Sequence, residues 1–422
     1  MPDTFPDTVP DNVPRLRLRT PADLIATLPY LLGYRLEDSL VIAAVDHGRL
    51  GLIQRFDLPG SGPGGPPRRA VDVARRMLRR EDPEAVLIVA YESAPGAGEG
   101  LRTAMSRLCD RNGWRVLAEV VARGDRWWDL DAGDDLLGPG RPVPSARQVP
   151  AVAECVAAGL APLPGRAALA ELFEPAACSA ALGELIAAER ARRTTKPSPP
   201  TERYRRDARA WRQWLAAEPR GAGGPALDDC LARCVVSLDD TDLRDALIAW
   251  LAPGLLPPAM APRRAWGPLA GVLGPVPPVA RSRRRRRRGR PAEPAGADRR
   301  AELRGESRLD EPGTAGAFAA PGERPPGGPP GAAETPEERA PAALRERGRN
   351  RLVDAIRATP ADDQTPLLTV FASIAWWQGD GALAGEAAQR ARRLRPSYTL
   401  AVLLHEMIRQ GIRFGTATGL AG

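Results

Sequence analysis

Two uninterrupted apolar runs constrain this chain more than anything else in it: Leu40–Val45, behind Ser39 in SLVIAAV, and Ala85–Tyr91, AVLIVAY. A strand with one face in water alternates, whereas a strand apolar at every position must be covered on both faces. The chain therefore needs a sheet with helices on each side. Its surroundings supply the parts. Arg15–Arg19 alternates as a short edge strand, and Thr20 caps a helix with Pro21 at its first position and Asp23 three residues after the cap. Leu24, Ile25, Leu28 and Leu32 form that helix's apolar face; Pro29 is expected to end its first turns and Gly33 to stop it. Asp46-His47-Gly48 reads as a hairpin turn into Arg49–Leu58, with Leu50, Leu52, Phe56 and Leu58 on one face and Arg49, Arg55 and Asp57 on the other. Arg68–Arg80 reads as an amphipathic helix. Ala85–Tyr91, helix Leu101–Arg111 and strand Arg115–Arg123 have the spacing of a right-handed crossover. The expected fold class is α/β with a mixed sheet over residues 15–145, behind a leader at 1–14.

From Ser145 the pattern turns helical, with helices expected over 149–158, 166–173, 176–192, 203–217, 225–236 and 242–251, a helical region of 146–252. Residues 253–335 are dominated by Pro, Gly, Ala and Arg with few large apolar side chains, which predicts a disordered linker. Thr335-Pro336-Glu337-Glu338 starts a helix. Residues 336–415 then read as a C-terminal helical unit, in which the Gly379-Asp380-Gly381 turn between Ala-rich helices resembles one tetratricopeptide-type repeat.

Charge has to be located before it is interpreted. The formal net charge is +8, and Arg281, Arg283, Arg284, Arg285, Arg286, Arg287, Arg288 and Arg290 stand in one tract. Without those eight, basic and acidic residues balance at 52 each, so the excess describes the tract and not a basic folded surface. The tract is the candidate for nucleic-acid contact, through sequence-blind counterion release. No run of about 18 apolar residues exists, so no membrane helix is expected. The acidic, Pro-rich start lacks a signal-peptide pattern, and a cytoplasmic location is the expectation. The five Cys form no CxxC pair and read as reduced core thiols; no metal and no cofactor is expected.

Several stretches resemble a known family: Thr20–Ile42 (TPADLIATLPYLLGYRLEDSLVI), Arg55–Pro59, the strand ending in Tyr91, Arg126-Trp127-Trp128, Gly159–Leu172, Arg244–Leu247, and AWWQGDGALA with LRPSYTLAVLL near the end. This combination resembles an uncharacterised actinobacterial family, domain of unknown function 4192. The resemblance implies a fold without supplying a chemistry. It departs after Trp128, where many relatives carry Cys and this chain has Asp129–Asp135, which weighs against a metal-thiolate role.

Candidate ligand-binding residues gather where strand ends meet. Glu37, Asp38 and Ser39 form a polar corner, and the hairpin register brings Asp57 beside it, near Tyr91 and Glu92. Helix-end capping with an Arg55 or Arg35 ion pair is the favoured reading there; paired carboxylates converging at the sheet end for acid–base work or a metal is the alternative. Glu92–Gly100 is where an α/β domain would cradle phosphate, yet its glycines lack the G-x-G-x-x-G spacing and it reads as a flexible loop. Arg126 and Trp127 offer a stacking surface, but alternation sends one Trp of the pair to the core and the other toward solvent or the central helices, and packing between the two regions is the favoured reading. Asp129, Asp131, Asp134 and Asp135 fail the calcium-loop pattern and read as a solvated acidic loop, with Asp129 and Asp131 as a residual Mg²⁺ pair. His405 reads as a surface histidine. No nucleophile signature occurs. The leading expectation is a non-enzymatic adaptor with a protein partner. Its rivals are a small-molecule or nucleotide-binding domain, possibly a hydrolase, at the sheet end, and nucleic-acid association through the Arg tract.

Overall fold

A computed structural model of the protein describes residues 17–18, 20–46, 49–58, 67–157, 160–176, 179–218, 225–276, 318–319 and 336–412. The His47-Gly48 turn, Cys178 and the Arg281–Arg290 tract lie outside them.

The sheet contains β1 (Arg17–Leu18), β2 (Ser39–Asp46), β3 (Arg49–Asp57), β4 (Ala85–Tyr91), β5 (Arg115–Arg123), β6 (Arg126–Asp129), β7 (Arg141–Pro142) and β8 (Phe318–Ala319). Its order is β1-β8-β3-β2-β4-β5-β6-β7. It is mixed: β4 and β5 are parallel, joined through α3 (Glu99–Asn112), while β2 pairs antiparallel with both β3 and β4. Both faces are covered, which is what the apolar runs require. Val41, Ala43 and Val45 pack with α1 (Pro21–Leu32) and α4 (Pro150–Ala157); Leu40, Ile42 and Ala44 pack with α2 (Pro67–Glu81) and α3.

Two expectations about this domain are corrected, and a third is met. Leu50 does not share a face with Leu52, Phe56 and Leu58. The register slips between Ala43 and Val45, and the extra β3 residue reverses the side on which Leu50 falls. Trp127 and Trp128 alternate as expected, Trp128 into the core beneath α2 and α3 and Trp127 toward the central helices, against Val149, Val152 and Cys155. Pro29 does not end α1. The helix runs through it to Leu32 and stops at Gly33, whose φ of 80° is left-handed.

That continuation has a cost and a visible compensation. Pro29 has no N–H, so it leaves the carbonyl of Ile25, four residues back, without its helical donor. The Tyr91 hydroxyl at the end of β4 donates to that carbonyl at 3.0 Å, deep in the interior. We expect Tyr91→Phe to cost about 1–3 kcal/mol in urea denaturation, the usual penalty for an orphaned buried acceptor. In a Pro29→Ala background, which returns the N–H, the same change should cost less than about 1 kcal/mol. Equal costs in both backgrounds would refute the coupling.

The helical half contains α5 (Arg166–Glu171), α6 (Ser179–Thr195), α7 (Pro200–Ala216), α8 (Pro225–Ser237) and α9 (Thr241–Leu251), then α10 (Arg263–Leu273). After β8 come α11 (Pro336–Ala358), α12 (Gln364–Trp377), α13 (Gly381–Leu394) and α14 (Thr399–Arg409). Residue 253 does not begin a linker, because α10 buries Ala265, Leu269 and Leu273 in the helical core, and residues 277–317 and 320–335 of the expected linker lie outside the described residues. Its Pro, Gly, Ala and Arg content hid an apolar row at four-residue spacing. β8 also falls within the stretch expected to be disordered.

The helical region and the C-terminal unit are not separate cores. One cluster of buried side chains runs from Phe173 through Trp211, Trp214 and Trp250 to Phe371 and Leu404. Trp214 Nε1 donates to the Arg351 carbonyl at 3.0 Å, Arg351 Nε donates back to the Trp214 carbonyl at 3.0 Å, and the guanidinium lies 4.1 Å from the ring centre. His405, expected at the surface, is buried in this half. Burial, with Arg392 and Arg409 nearby, holds its imidazole below the usual range.

Candidate functional site

The polar corner forms as the hairpin register demands, with Ser39 directly opposite both Asp57 and Tyr91. Its members are engaged within the fold. Ser39 is fully buried; its Oγ donates to the Glu37 carbonyl at 2.5 Å and accepts from Arg55 Nε at 2.8 Å. Arg55 then pairs with Asp57 at 2.6 Å. Arg166, at the start of α5, reaches Asp57 at 3.4 Å and Glu386 of α13 at 2.9 Å. A chain of charge thus runs from the sheet end to the C-terminal helices. The buried Tyr34 stands beside it, and burial raises its phenol above the usual range.

Asp38 faces the other way. It adopts φ of 40°, a left-handed conformation that Asp tolerates, and its Oδ1 accepts from Ser93 N at 3.0 Å and Ser93 Oγ at 2.6 Å. It thereby ties the corner to the glycine-rich loop. Glu37 is exposed. The Arg55 ion pair favoured from the sequence forms, and the alternative, Asp57 converging with Glu37 and Asp38, does not: Asp57 is taken by two Arg and Asp38 by Ser93.

The loop Glu92–Gly100 does cradle an anion, and the anion is its own. Glu92 is buried, with its Oε1 accepting from Gly98 N at 2.9 Å and its Oε2 accepting from Gly96 N at 3.2 Å and Arg123 Nε at 2.9 Å. The carboxylate occupies the position where a phosphate would meet the amides at the opening of α3. Gly98 has to be glycine, since a Cβ there would lie 2.8 Å from Glu92 Oε1 and 3.2 Å from the Ala90 Cβ. Arg123 also lies over the Trp128 ring, 4.6 Å from its centre.

The remaining candidates are placed as follows. Trp127 is in the core beneath Arg141, whose guanidinium is 5.1 Å from the ring centre, and Arg126 is exposed near Asp125. The acidic loop is folded on itself. Asp129 accepts from the backbone of Asp131 and Ala132, Asp134 from that of Asp129 and from Arg141, Asp131 from that of Glu119, and Asp135 from that of Leu137. No group of three or more His, Cys, Asp or Glu among the described residues is arranged to hold a metal ion. Cys109, Cys155, Cys230 and Cys234 are buried and free; burial pushes Cys109 up to about 12 and Cys155 to about 11, far from a reactive thiolate. No helix among the described residues is long and apolar enough to cross a membrane.

Sequence reasoning missed Arg123, Arg166 and Glu386, the partners that close the site. Each is an Arg or Glu in an Arg-rich helical or strand context, and its partner lies far along the chain.

Fold and site define a covered α/β sheet, with its own carboxylate in the loop position a ligand would take, fused to a helical body built from two separate stretches of chain. The chain belongs to the family described as a domain of unknown function, DUF4192, whose model matches residues 21–275 and 335–413. The match includes α10 and resumes at α11. No curated protein and no solved structure matches the chain.

Proposed function

We propose that this chain is a cytoplasmic, non-enzymatic adaptor whose helical half receives a protein partner. The observation that carries the reading is the engagement of Asp57 by Arg55 and Arg166, of Asp38 by Ser93, and of Glu92 by Arg123 and two loop amides. Carboxylates committed to ion pairs and loop closure are poorly placed for acid–base work. The helical hairpin of α12 and α13, joined by the Gly379–Gly381 turn, is the repeat-like element that other helical proteins use to present partner surfaces. Beside it, α14 exposes Val402 at 40% and Leu403 at 53%.

The test is a tagged full chain purified from cells of its own source. A partner retained in stoichiometric amount by the parent and lost with Leu403→Asp, at unchanged Tm, is the expected result. The competing reading is nucleotide or small-molecule binding at the sheet end. It would be favoured by a nucleotide or divalent ion that raises the Tm of the parent but not of Asp57→Asn, in the absence of any such partner.

A further inference from the structure

The charge of the folded body is unevenly spent. The C-terminal end of α6 carries Arg190, Arg192 and Arg193, followed by Lys196, the one lysine of the chain, and α7 opens with Arg203 and Arg206. With Arg233 of α8, these line a cleft of about 490 Å³, within the usual range for a small-molecule site. Seven cationic side chains line it against three carboxylates, Asp207, Asp239 and Asp240.

The carboxylates hold its floor. Arg193 pairs with the buried Asp207 at 2.7 Å and with Glu189 at 3.0 Å, Arg203 with Asp240 at 2.6 Å, and Arg190 with Asp239 at 2.9 Å and Asp363 at 2.6 Å. These pairs fix the guanidinium planes and leave N–H groups over. Arg203 uses one terminal nitrogen on Asp240, Arg206 uses one on the exposed Glu202, and Lys196 has no ion pair among the described residues. Ser198 lines the same cleft at the start of α7, where Pro199 provides no side-chain cap, so the positive end of a 17-residue helix adds to the field.

We propose that this cleft is a binding site for a small anion carrying several phosphate groups, held by Lys196, Arg203 and Arg206. Fixed guanidinium forks match phosphate oxygens two at a time, and an ammonium supplies a movable third donor. No aromatic side chain lines the cleft, so nothing there stacks a nucleobase. Asp207, Asp239 and Asp240 interrupt the basic surface, which suits a compact polyphosphate and opposes a continuous nucleic-acid backbone. The site is separate from the sheet end and from the α14 surface, and it stands or falls without the adaptor reading.

The test is calorimetric titration of inorganic tripolyphosphate into the full chain with the eight Arg of the 281–290 tract replaced by Gln. That replacement removes the densest run of cationic residues outside the cleft. Saturable binding at one anion per chain is expected. Lys196→Ala and Arg206→Ala should each weaken it about tenfold or more, the loss of one charge-assisted contact, with unliganded Tm unchanged. Arg209→Ala, on the exposed side of α7, should bind as the parent does. Absence of saturable binding, binding that disappears with the tract, or affinity unchanged from the parent in the Lys196 and Arg206 variants would each overturn the assignment.

Discussion

Replacing Glu92 with Ala should destabilise the protein by about 2–4 kcal/mol, because it strips a partly buried cation of its partner and leaves two loop amides without an acceptor. Arg123 would retain only the Leu136 carbonyl at 3.3 Å and its place over Trp128, while Gly96 and Gly98 would face a void. Glu92→Gln keeps the shape and one acceptor oxygen and should recover part of the loss. The sign also discriminates between functions. A carboxylate kept buried for chemistry is held at a cost to the fold, so its removal would be neutral or stabilising. A loss of several kcal/mol in urea denaturation identifies Glu92 as the plug of its own loop, and a change within about 0.5 kcal/mol returns the sheet end to the list of reactive sites.

The second expectation concerns the helical half. Chains ending near residue 276 should fail to fold over residues 179–276, and co-expression with a fragment starting near residue 335 should rescue them as a stable complex. Every residue of α12 from Gln364 to Trp376 is buried, and Phe371 and Leu368 meet the cluster that holds Trp214 and Trp250. Burying each large apolar side chain contributes about 1.5–3 kcal/mol. Removing a whole fully buried helix therefore exceeds the roughly 5–15 kcal/mol by which a domain is stable. Circular dichroism of the truncated chain and co-purification of the two fragments check this. A monomeric, cooperatively melting 1–276 fragment with native helix content would refute it.

How far the sequence carried follows from range. The covered sheet was legible because burial on both faces leaves a mark in every residue of Leu40–Val45 and Ala85–Tyr91. The start of α1 was legible because capping is local, and Thr20 and Asp23 make the reciprocal bonds their spacing implies. Pro29 misled because its cost is met by Tyr91, 62 positions on, and no local rule sees that far. The bulge opposite Ala44 similarly reversed Leu50 through one unpaired residue. At the site, Arg55 was legible as the partner of Asp57 because the hairpin places it two residues away on the same strand, whereas Arg123 and Arg166 are brought in by the sheet and by α5. The Arg tract drew attention through its density, yet the folded cleft at Lys196 and Arg203 is assembled from shorter, unremarkable basic stretches on three helices.

The shared helical core carries a consequence for synthesis. Helices α6 to α10 leave the ribosome with a face that only α11 to α14 can cover, and the intervening chain takes on the order of ten seconds to make. During that interval Trp214 and Trp250, which meet Arg351 and Arg345 of α11, belong to an unfinished surface, and a chaperone that binds nascent apolar helices has a defined window in which to act. Shortening the stretch between α10 and α11, with Phe318–Ala319 of β8 retained, would narrow this window, so its length is a kinetic variable of the protein.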